Sequence, residues 1–360
     1  MNKKLLKDLD WYLVTPVIIL VILSLVTLFS LNVIFFQGQI ILFLISFFIF
    51  LFFSQTNYKI LTIYARPIYI FSIVCLLVVL FLGIESRGAV RWIEIFGFRL
   101  QLSEILKPFL AISLTSYLIS IKNFSFKNFV KVFLLLFPIF ILIFLQPDLG
   151  NAIIFGLVVL LSLIYMGFSI KYFFISSVPF ILSAPLLWQF LHEYQKQRIS
   201  TFLNPSSDPL GTSYNVIQSV IAVGSGMILG KGIGQGTQSS LRFLPERQTD
   251  FIFATISEQL GLIGVTIILV CFTIILYRIL QIFLNSDDNF CKTFSAVIFF
   301  VFLIQIFMNI GMNIGILPIV GVTLPFVSYG GSSLLSNFIF LGFLSSFSKS
   351  IKDEKVLEIK

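Results

Sequence analysis

The run LVTPVIILVILSLVTLFSLNVIFF, residues 13–36, contains no charged side chain. A helix needs roughly 20 apolar residues to cross the roughly 30 Å hydrocarbon core of a bilayer, so this run predicts a transmembrane helix. Similar runs recur outward along the chain between short polar breaks. We predict ten spans, over residues 13–36, 39–54, 67–84, 104–121, 130–146, 149–168, 172–190, 251–280, 293–315 and 324–347.

The composition excludes a soluble globule. Of the 360 residues, 58% are hydrophobic and only 11% are charged, with a mean hydropathy of +1.03. So few polar groups cannot cover a water-exposed surface. The sequence therefore predicts an all-α polytopic membrane protein that forms one integral membrane domain over residues 1–360.

Basic residues indicate the orientation. With ten spans both termini lie on one side, and that side carries 15 of the 24 Lys and Arg residues but 7 of the 16 Asp and Glu residues. The positive-inside rule makes this face cytoplasmic. The largest loop, about residues 191–250 between spans seven and eight, is then outside. The net charge of +8 indicates contact with anionic lipids, without any need for nucleic acid.

A polar island, GKGIGQGTQSSLRFLPERQTDFIF at residues 230–253, closes the outer loop. Charged residues at bilayer depth cost about 2.5–3.5 kcal/mol each, so these are expected at an aqueous face. The glycines and Lys231 suit an anion, but a flexible loop has the same composition. Asp250 suits either a helix cap or a general base, and Arg242 and Arg247 beside it favour the base.

Two further polar groups lie on the predicted outer face. Arg91 and Trp92 follow the third span, and the tryptophan suits either an interfacial anchor or a wall for a sugar or isoprenoid. Asp148 suits either a helix cap or an inward-facing acid. We predict a buried polar network that supports the site, formed by Glu104, Lys107, Asp148 and Glu258.

Several motifs occur together in one order. They are RGAVRWI at 87–93, QPDLG at 146–150, QSVIAVGSG at 218–226, GKG at 230–232, GTQSSLRFLPER at 236–247, TDFIFA at 249–254 and PFVSYGGSS at 325–333. On these motifs the chain resembles the SEDS family (shape, elongation, division, sporulation) of bacterial membrane glycosyltransferases, over nearly its whole length. The residues within these motifs favour the elongation branch of the family over the division branch. Leu102 and Gln248 depart from the family pattern, which has proline and histidine there.

The resemblance implies ten helices, a lipid II substrate and polymerisation of peptidoglycan outside the bacterial cytoplasmic membrane. It also implies a partner transpeptidase, a class B penicillin-binding protein. The family's essential aspartate maps onto Asp250, and its functionally important loop tryptophan maps onto Trp92. The loss of the histidine at position 248 leaves Asp250 as the candidate proton acceptor.

A β-1,4 link made from an α-linked polyprenyl pyrophosphate inverts the anomeric carbon, which requires in-line attack and a base. Asp250 is the predicted base. The predicted pyrophosphate ligands are Arg91, Lys231, Arg242 and Arg247, with a magnesium or manganese ion, no identified metal ligands and no organic cofactor. Two other functions remain open. A lipid flippase or transporter would bring charges to the midplane of two related halves, and a non-catalytic scaffold for the transpeptidase would not need Asp250.

Overall fold

A computed structural model of the chain describes residues 9–86, 89–95, 98–191, 193–204 and 213–358. Parts of the predicted outer loop, residues 192 and 205–212, lie outside the described residues. The described elements are, in chain order, α1 Trp11–Leu31, α2 Val33–Phe53, α3 Tyr58–Ile63, α4 Ala65–Leu82, β1 Ile84–Ser86, β2 Ala89–Ile95, β3 Phe98–Leu100, α5 Leu102–Ile105, α6 Lys107–Ser120, α7 Phe126–Leu145, α8 Leu149–Tyr165, α9 Ile170–Phe190, α10 Glu193–Leu203, α11 Tyr214–Ser225, α12 Thr237–Ser240, α13 Ile252–Asn285, α14 Asn289–Asn313 and α15 Gly331–Glu358.

Among the described residues, seven helices are long and apolar enough to cross a membrane: α1, α2, α4, α7, α13, α14 and the Gly331–Ile351 part of α15. Shorter apolar helices cover α8 and Ile170–Ser183 of α9. The predicted class, a mostly helical polytopic fold, is confirmed. The count of ten spans and their orientation stay predictions.

The break between the first two spans lies earlier than predicted. Asn32 has an extended conformation, and its side-chain oxygen accepts a hydrogen bond from the Ile34 N–H at the start of α2. Asparagine commonly caps helices in this way because it satisfies an N–H group that the helix leaves unpaired. The predicted break at residues 37–38 was wrong, since Gly38 lies inside α2 and faces the hydroxyl of Tyr329.

A three-stranded antiparallel sheet of order β1, β2, β3 departs from the all-α expectation. Trp92 pairs with Ile84 of β1, and Glu94 pairs with Arg99 of β3. The physical reason is visible in β2, where Val90, Trp92 and Ile93 supply the β-branched and aromatic residues that suit a pleated surface. The sheet places Arg91 and Trp92 at one end of the helical bundle.

The eighth span is broken at Gly261, whose φ is 61° and ψ is −152°. The loop that follows α11 repairs the break through four backbone hydrogen bonds, from the N–H of Lys231 to Glu258, Gly232 to Gln259, Leu262 to Met227 and Ile263 to Ile228. A bilayer has no water for unpaired backbone groups, so a partner segment is required there. A Cβ on Gly230 would lie 2.2 Å from the Gln259 carbonyl oxygen, which explains a glycine at that contact.

The tenth span also begins later than predicted, at Gly331 instead of residue 324. Residues 324–330 form turns in which Phe326 has a positive φ of 63°. The Ser328 hydroxyl accepts the Leu324 N–H and donates to the Thr249 carbonyl, at 2.8 and 2.7 Å. One bond within the turn and one tertiary bond thus take the place of a first helical turn, so the apolar stretch is not continuous helix.

The orientation can be tested with single cysteines in a cysteine-free background. Ser200 and Ser125 are both exposed, on the predicted outer and inner faces. An impermeant thiol reagent applied to intact cells is expected to label position 200 and to leave position 125 unlabelled until the cells are opened. The opposite pattern would reverse the orientation.

Candidate active site

A cavity of about 650 Å³ lies at the end of the bundle that carries the sheet. Its walls come from seven stretches of chain: β2, the α5 region, residues 147–149, α10, the start of α11, residues 245–251 and residues 319–333. Among the predicted site residues, Arg91, Trp92, Glu104 and Asp250 line it. The fold therefore brings together residues that are separated by up to 159 positions in the sequence, as the numbers 91 and 250 show.

Asp250 ends a tight turn just before α13. The Glu246 carbonyl accepts hydrogen bonds from the N–H groups of Thr249 and Phe251, at 3.0 and 3.2 Å, so the side chains at 246 and 250 project from one turn. The N-cap position of α13 is Phe251, without a side-chain cap. Asp250 therefore does not occupy the capping position that the helix-cap alternative required. Its carboxylate faces the cavity beside Gly321, where a Cβ would lie 3.5 Å from Oδ2.

Arg91 and Trp92 form one wall of the cavity. The Arg91 guanidinium carbon lies 5.9 Å from the centroid of the Trp92 ring, within the range of a cation–π contact. Its Nε is buried and makes no hydrogen bond to any described residue. Of the two roles open to Trp92, the wall of a binding site is the one that its position supports.

Glu104 and Lys107 form a buried ion pair, with 2.8 Å between Nζ and Oε1. The other carboxylate oxygen, Oε2, is buried without a hydrogen-bond partner among the described residues, and Glu104 lines the cavity. A buried charge is costly unless it is paired, which accounts for the lysine one helical turn away. The supporting role predicted for this pair stays a prediction.

Asp148 is both a helix cap and an inward acid. It is the N-cap of α8, where Oδ1 accepts the Asn151 N–H at 3.4 Å. Its Oδ2 also accepts hydrogen bonds from Gln101 Nε2, Ser103 Oγ and Asn151 Nδ2, at 2.6, 2.7 and 2.8 Å. The Gln101 N–H in turn donates to Ser332 Oγ at 2.8 Å, so this cluster ties two cavity-lining segments together.

Glu258 and Lys231 belong to a separate cluster, so the predicted single network of four residues was wrong. Glu258 is fully buried and accepts hydrogen bonds from the N–H groups of Gln238 and Ser239, both at 2.9 Å. It also pairs with Lys231 at 3.2 Å. Lys231 Nζ donates to Thr237 Oγ1 at 2.9 Å and does not line the cavity. Lys231, which belongs to the glycine-rich loop, therefore holds that loop against Glu258.

Arg247 is also occupied by the protein. It is 8% exposed, and its Nη1 donates to the backbone carbonyls of Ser239 and Ser240. Burial, with a smaller contribution from the charge of Arg242, lowers the pKa of Arg247 from its ordinary value, but a guanidinium stays protonated at neutral pH. Arg242 is exposed, with a positive φ of 65°, and neither arginine lines the cavity.

Sequence reasoning missed several cavity residues. Arg198 and Thr201 come from α10, and Glu246 belongs to a motif to which no separate role was given. The PFVSYGGSS motif supplies the segment from Tyr329 to Ser333. The sequence of α10, EYQKQRISTFL, is mostly polar and does not show which of its side chains face the cavity.

The fold and the site together define a class of protein. It is a helical multi-pass membrane protein with a carboxylate and an arginine in one cavity at the end of the bundle. Residues 6–353 match the family described as cell cycle protein and named for FtsW, RodA and SpoVE. The chain belongs to this family, and the resemblance to SEDS proteins is confirmed.

One of two similar relatives carries the predicted activity in its name. The chain is 41% identical to peptidoglycan glycosyltransferase MrdB of Escherichia coli K12 over 274 residues, which is 76% of this chain and 74% of that one. It is 36% identical to stage V sporulation protein E of Bacillus subtilis over 290 residues, covering 78% and 76% of the two chains. The prediction of a peptidoglycan glycosyltransferase is confirmed by these relatives.

Solved structures agree with the fold. A chain of a peptidoglycan synthase complex that coordinates polymerization and crosslinking is 28% identical, with a TM-score of 0.82 over 95% of this chain and 98% of that one. Thermus thermophilus rod shape determining protein RodA is 24% identical, with a TM-score of 0.70 over 94% and 97%. The second likeness supports the fold alone.

Proposed function

We propose that this chain polymerises lipid II into β-1,4-linked glycan strands for cell-wall elongation, with Asp250 as the general base. The observation that carries the proposal is the Asp250 carboxylate facing a cavity of about 650 Å³ beside Arg91 and Trp92. A carboxylate is the only one of these three groups that accepts a proton at neutral pH. The names of the relatives supply the reaction class.

The reaction is an inverting transfer. The 4-hydroxyl oxygen of an acceptor sugar forms the new bond to the anomeric carbon of the donor, and the bond from that carbon to the pyrophosphate oxygen breaks. The bonding pair leaves with the pyrophosphate, and the hydroxyl proton goes to Asp250. A pyrophosphate is a good leaving group once its charge is balanced, so a second acid is not required, in contrast to glycoside hydrolysis.

The arginines that face the cavity are the groups that neutralise the charge of the leaving pyrophosphate. Arg91 and Arg198 line it, whereas Lys231 and Arg247 hold the 231–240 loop through Glu258 and the Ser239 and Ser240 carbonyls. We therefore assign pyrophosphate binding first to Arg91 and Arg198. A role for Arg242, which is exposed outside the cavity, stays a prediction.

A divalent cation fits this site only as an ion held chiefly by substrate. Among the described residues, no group of three or more His, Cys, Asp or Glu side chains is arranged to hold a metal. Magnesium is commonly bound by one or two carboxylates together with substrate phosphates. Glu104 and Glu246 line the cavity and are the carboxylates that would contribute, while Asp250 accepts the proton. The ion would supply charge neutralisation at the pyrophosphate.

The location and the partners complete the proposal. We infer that the cavity opens to the outer face of the bacterial cytoplasmic membrane, where it would meet lipid II and the nascent strand. A relative with a TM-score of 0.82 works in a complex that couples polymerization to crosslinking. We infer that this chain likewise pairs with a transpeptidase, a class B penicillin-binding protein.

The function is tested with the purified protein, alone and with its transpeptidase, in lipid II-containing detergent or liposomes with crosslinking blocked by a β-lactam. Glycan polymer that a muramidase digests to disaccharide units is the expected product. Transport of lipid II between leaflets without polymer, measured in the same liposomes, would replace the glycosyltransferase with the flippase. Neither product with the transpeptidase bound would favour the scaffold.

A further inference from the structure

The backbone of the Asp250 segment is held by side chains and loops from elsewhere in the fold. Each of the four carbonyls from residue 247 to residue 250 accepts a hydrogen bond from outside the turn. The donors are Thr255 Oγ1 to Arg247 at 3.1 Å, the Tyr329 N–H to Gln248 at 2.9 Å, Ser328 Oγ to Thr249 at 2.7 Å, and the side-chain amides of Asn309 and Asn313 to Asp250 at 3.1 and 2.9 Å.

The Asn313 carboxamide bridges two positions at the start of α13. Its Nδ2 donates to the Asp250 carbonyl at 2.9 Å, and its Oδ1 accepts the Ala254 N–H at 3.1 Å. In an uninterrupted helix the N–H of residue 254 donates directly to the carbonyl of residue 250. Asn313 thus takes the place of a peptide group between them and sets where the helix begins, one residue after Phe251.

Asn309 connects the same carbonyl to the opposite wall. Its Nδ2 also donates to the Val322 carbonyl at 2.7 Å, next to Gly321, which lies against the Asp250 carboxylate. Asn309 and Asn313 lie four residues apart on one face of α14, and both are fully buried. Asn313 Nδ2 also donates to the Asn309 carbonyl at 2.8 Å, and its own carbonyl accepts from Ser219 Oγ at 2.9 Å. Both side-chain amides are therefore hydrogen-bonded to several neighbouring segments of the chain.

We propose that Asn309 and Asn313 are positioning residues for the reaction, because they fix the main chain of Asp250 and so aim its carboxylate at the acceptor hydroxyl. The proposal rests on the proposed function of Asp250. A buried amide in a membrane helix is costly unless its polar atoms are hydrogen-bonded. Here both side-chain amides form hydrogen bonds with the segment that carries Asp250. An error of about 1 Å in the position of a base can lower a rate about 10²-fold.

The test compares Asn313→Leu with Gln305→Leu in the enzyme with its transpeptidase. Leucine keeps the branched shape of asparagine, although it is larger, and it cannot form the two hydrogen bonds of the bridge. The Ala254 N–H is then left to bond the Asp250 carbonyl directly and to draw that residue into the helix. Polymerisation kcat is expected to fall about 10- to 100-fold with an unchanged KM for lipid II. Gln305 is a buried amide two turns earlier on α14 that hydrogen-bonds no described residue, and Gln305→Leu is expected to stay within about twofold.

The second measurement separates positioning from general structural damage. In an Asp250→Asn background, adding Asn313→Leu is expected to leave the residual rate unchanged, because the base is already gone. A further drop equal to the drop in the parent would overturn the proposal, as would an unchanged kcat in Asn313→Leu. If Asp250→Asn alone kept the full rate, the base assignment would fail instead.

Should Asn313→Leu not accumulate as folded protein, Asn309→Leu takes its place. That variant removes one of the two donors to the Asp250 carbonyl and leaves the Asn313 bridge to Ala254 intact. The same fall in kcat at constant KM is expected, and the same loss of effect in the Asp250→Asn background. An Asn309→Leu enzyme with the parent kcat would overturn the proposal.

Discussion

Replacing Asp250 with asparagine is expected to lower glycan polymerisation about 10²- to 10⁴-fold, which is the usual contribution of a positioned general base. Asparagine keeps the size of the side chain, its place beside Gly321 and the backbone bonds from Asn309 and Asn313. It cannot take a proton from the acceptor hydroxyl. The measurement is the initial rate of polymer formation from lipid II, with the KM determined in parallel.

The control for this substitution is Asp287→Asn, which changes an exposed aspartate in the loop between α13 and α14. It is expected to keep the parent rate. Both variants should be recovered in membranes, and should bind the transpeptidase, as well as the parent does. An Asp250→Asn enzyme within a few-fold of the parent would remove Asp250 from the role of base. Loss of folded protein in Asp250→Asn but not in Asp287→Asn would give Asp250 a structural role instead.

Removal of divalent cations is expected to suppress polymerisation about 10²-fold or more, since a metal supplies several kcal/mol of charge stabilisation in such transfers. Two positive side chains, Arg91 and Arg198, line the cavity beside three carboxylates, Glu104, Glu246 and Asp250. Formal charge from these residues alone is therefore not positive enough to balance a leaving pyrophosphate. An added cation changes that balance.

The experiment uses protein and lipid II that have both been passed over a chelating resin. Activity is expected to return when magnesium or manganese is added. A chelator loaded with magnesium beforehand serves as the control and is expected to leave the rate unchanged. Full activity of metal-depleted enzyme on metal-free lipid II would exclude the cation, and the cavity arginines would then have to carry the whole charge.

Hydropathy and motifs in the sequence predicted the membrane class, the family and the candidate base. These properties follow from local sequence, because a bilayer span requires about 20 apolar residues in succession and a polar residue in it is costly. Asp250 was recognisable for the same reason, as an acid at the point where a polar stretch becomes an apolar helix. Trp92 and Arg91 were found through their motif, although the strand that carries them was not predicted.

Only the tertiary structure decided which charged groups face the cavity. Lys231, Arg242 and Arg247 share one short loop with Asp250, so sequence proximity suggested a shared task. In the fold, Lys231 neutralises the fully buried Glu258, and Arg247 binds backbone carbonyls. Their charges are used inside the loop because unpaired buried carboxylates and carbonyls are costly.

The amides that hold Asp250 were equally hidden. Asn309 and Asn313 lie 59 and 63 residues from it in the sequence. In a sequence they read as polar interruptions of an apolar helix, with no indication of what they contact. Side-chain hydrogen bonds depend on distance and direction in space, which hydrophobic periodicity does not encode. The sequence by itself determined that this is a membrane enzyme of a known family with an acid at one helix start, and the packing of α14 against that start decided how the acid is aimed.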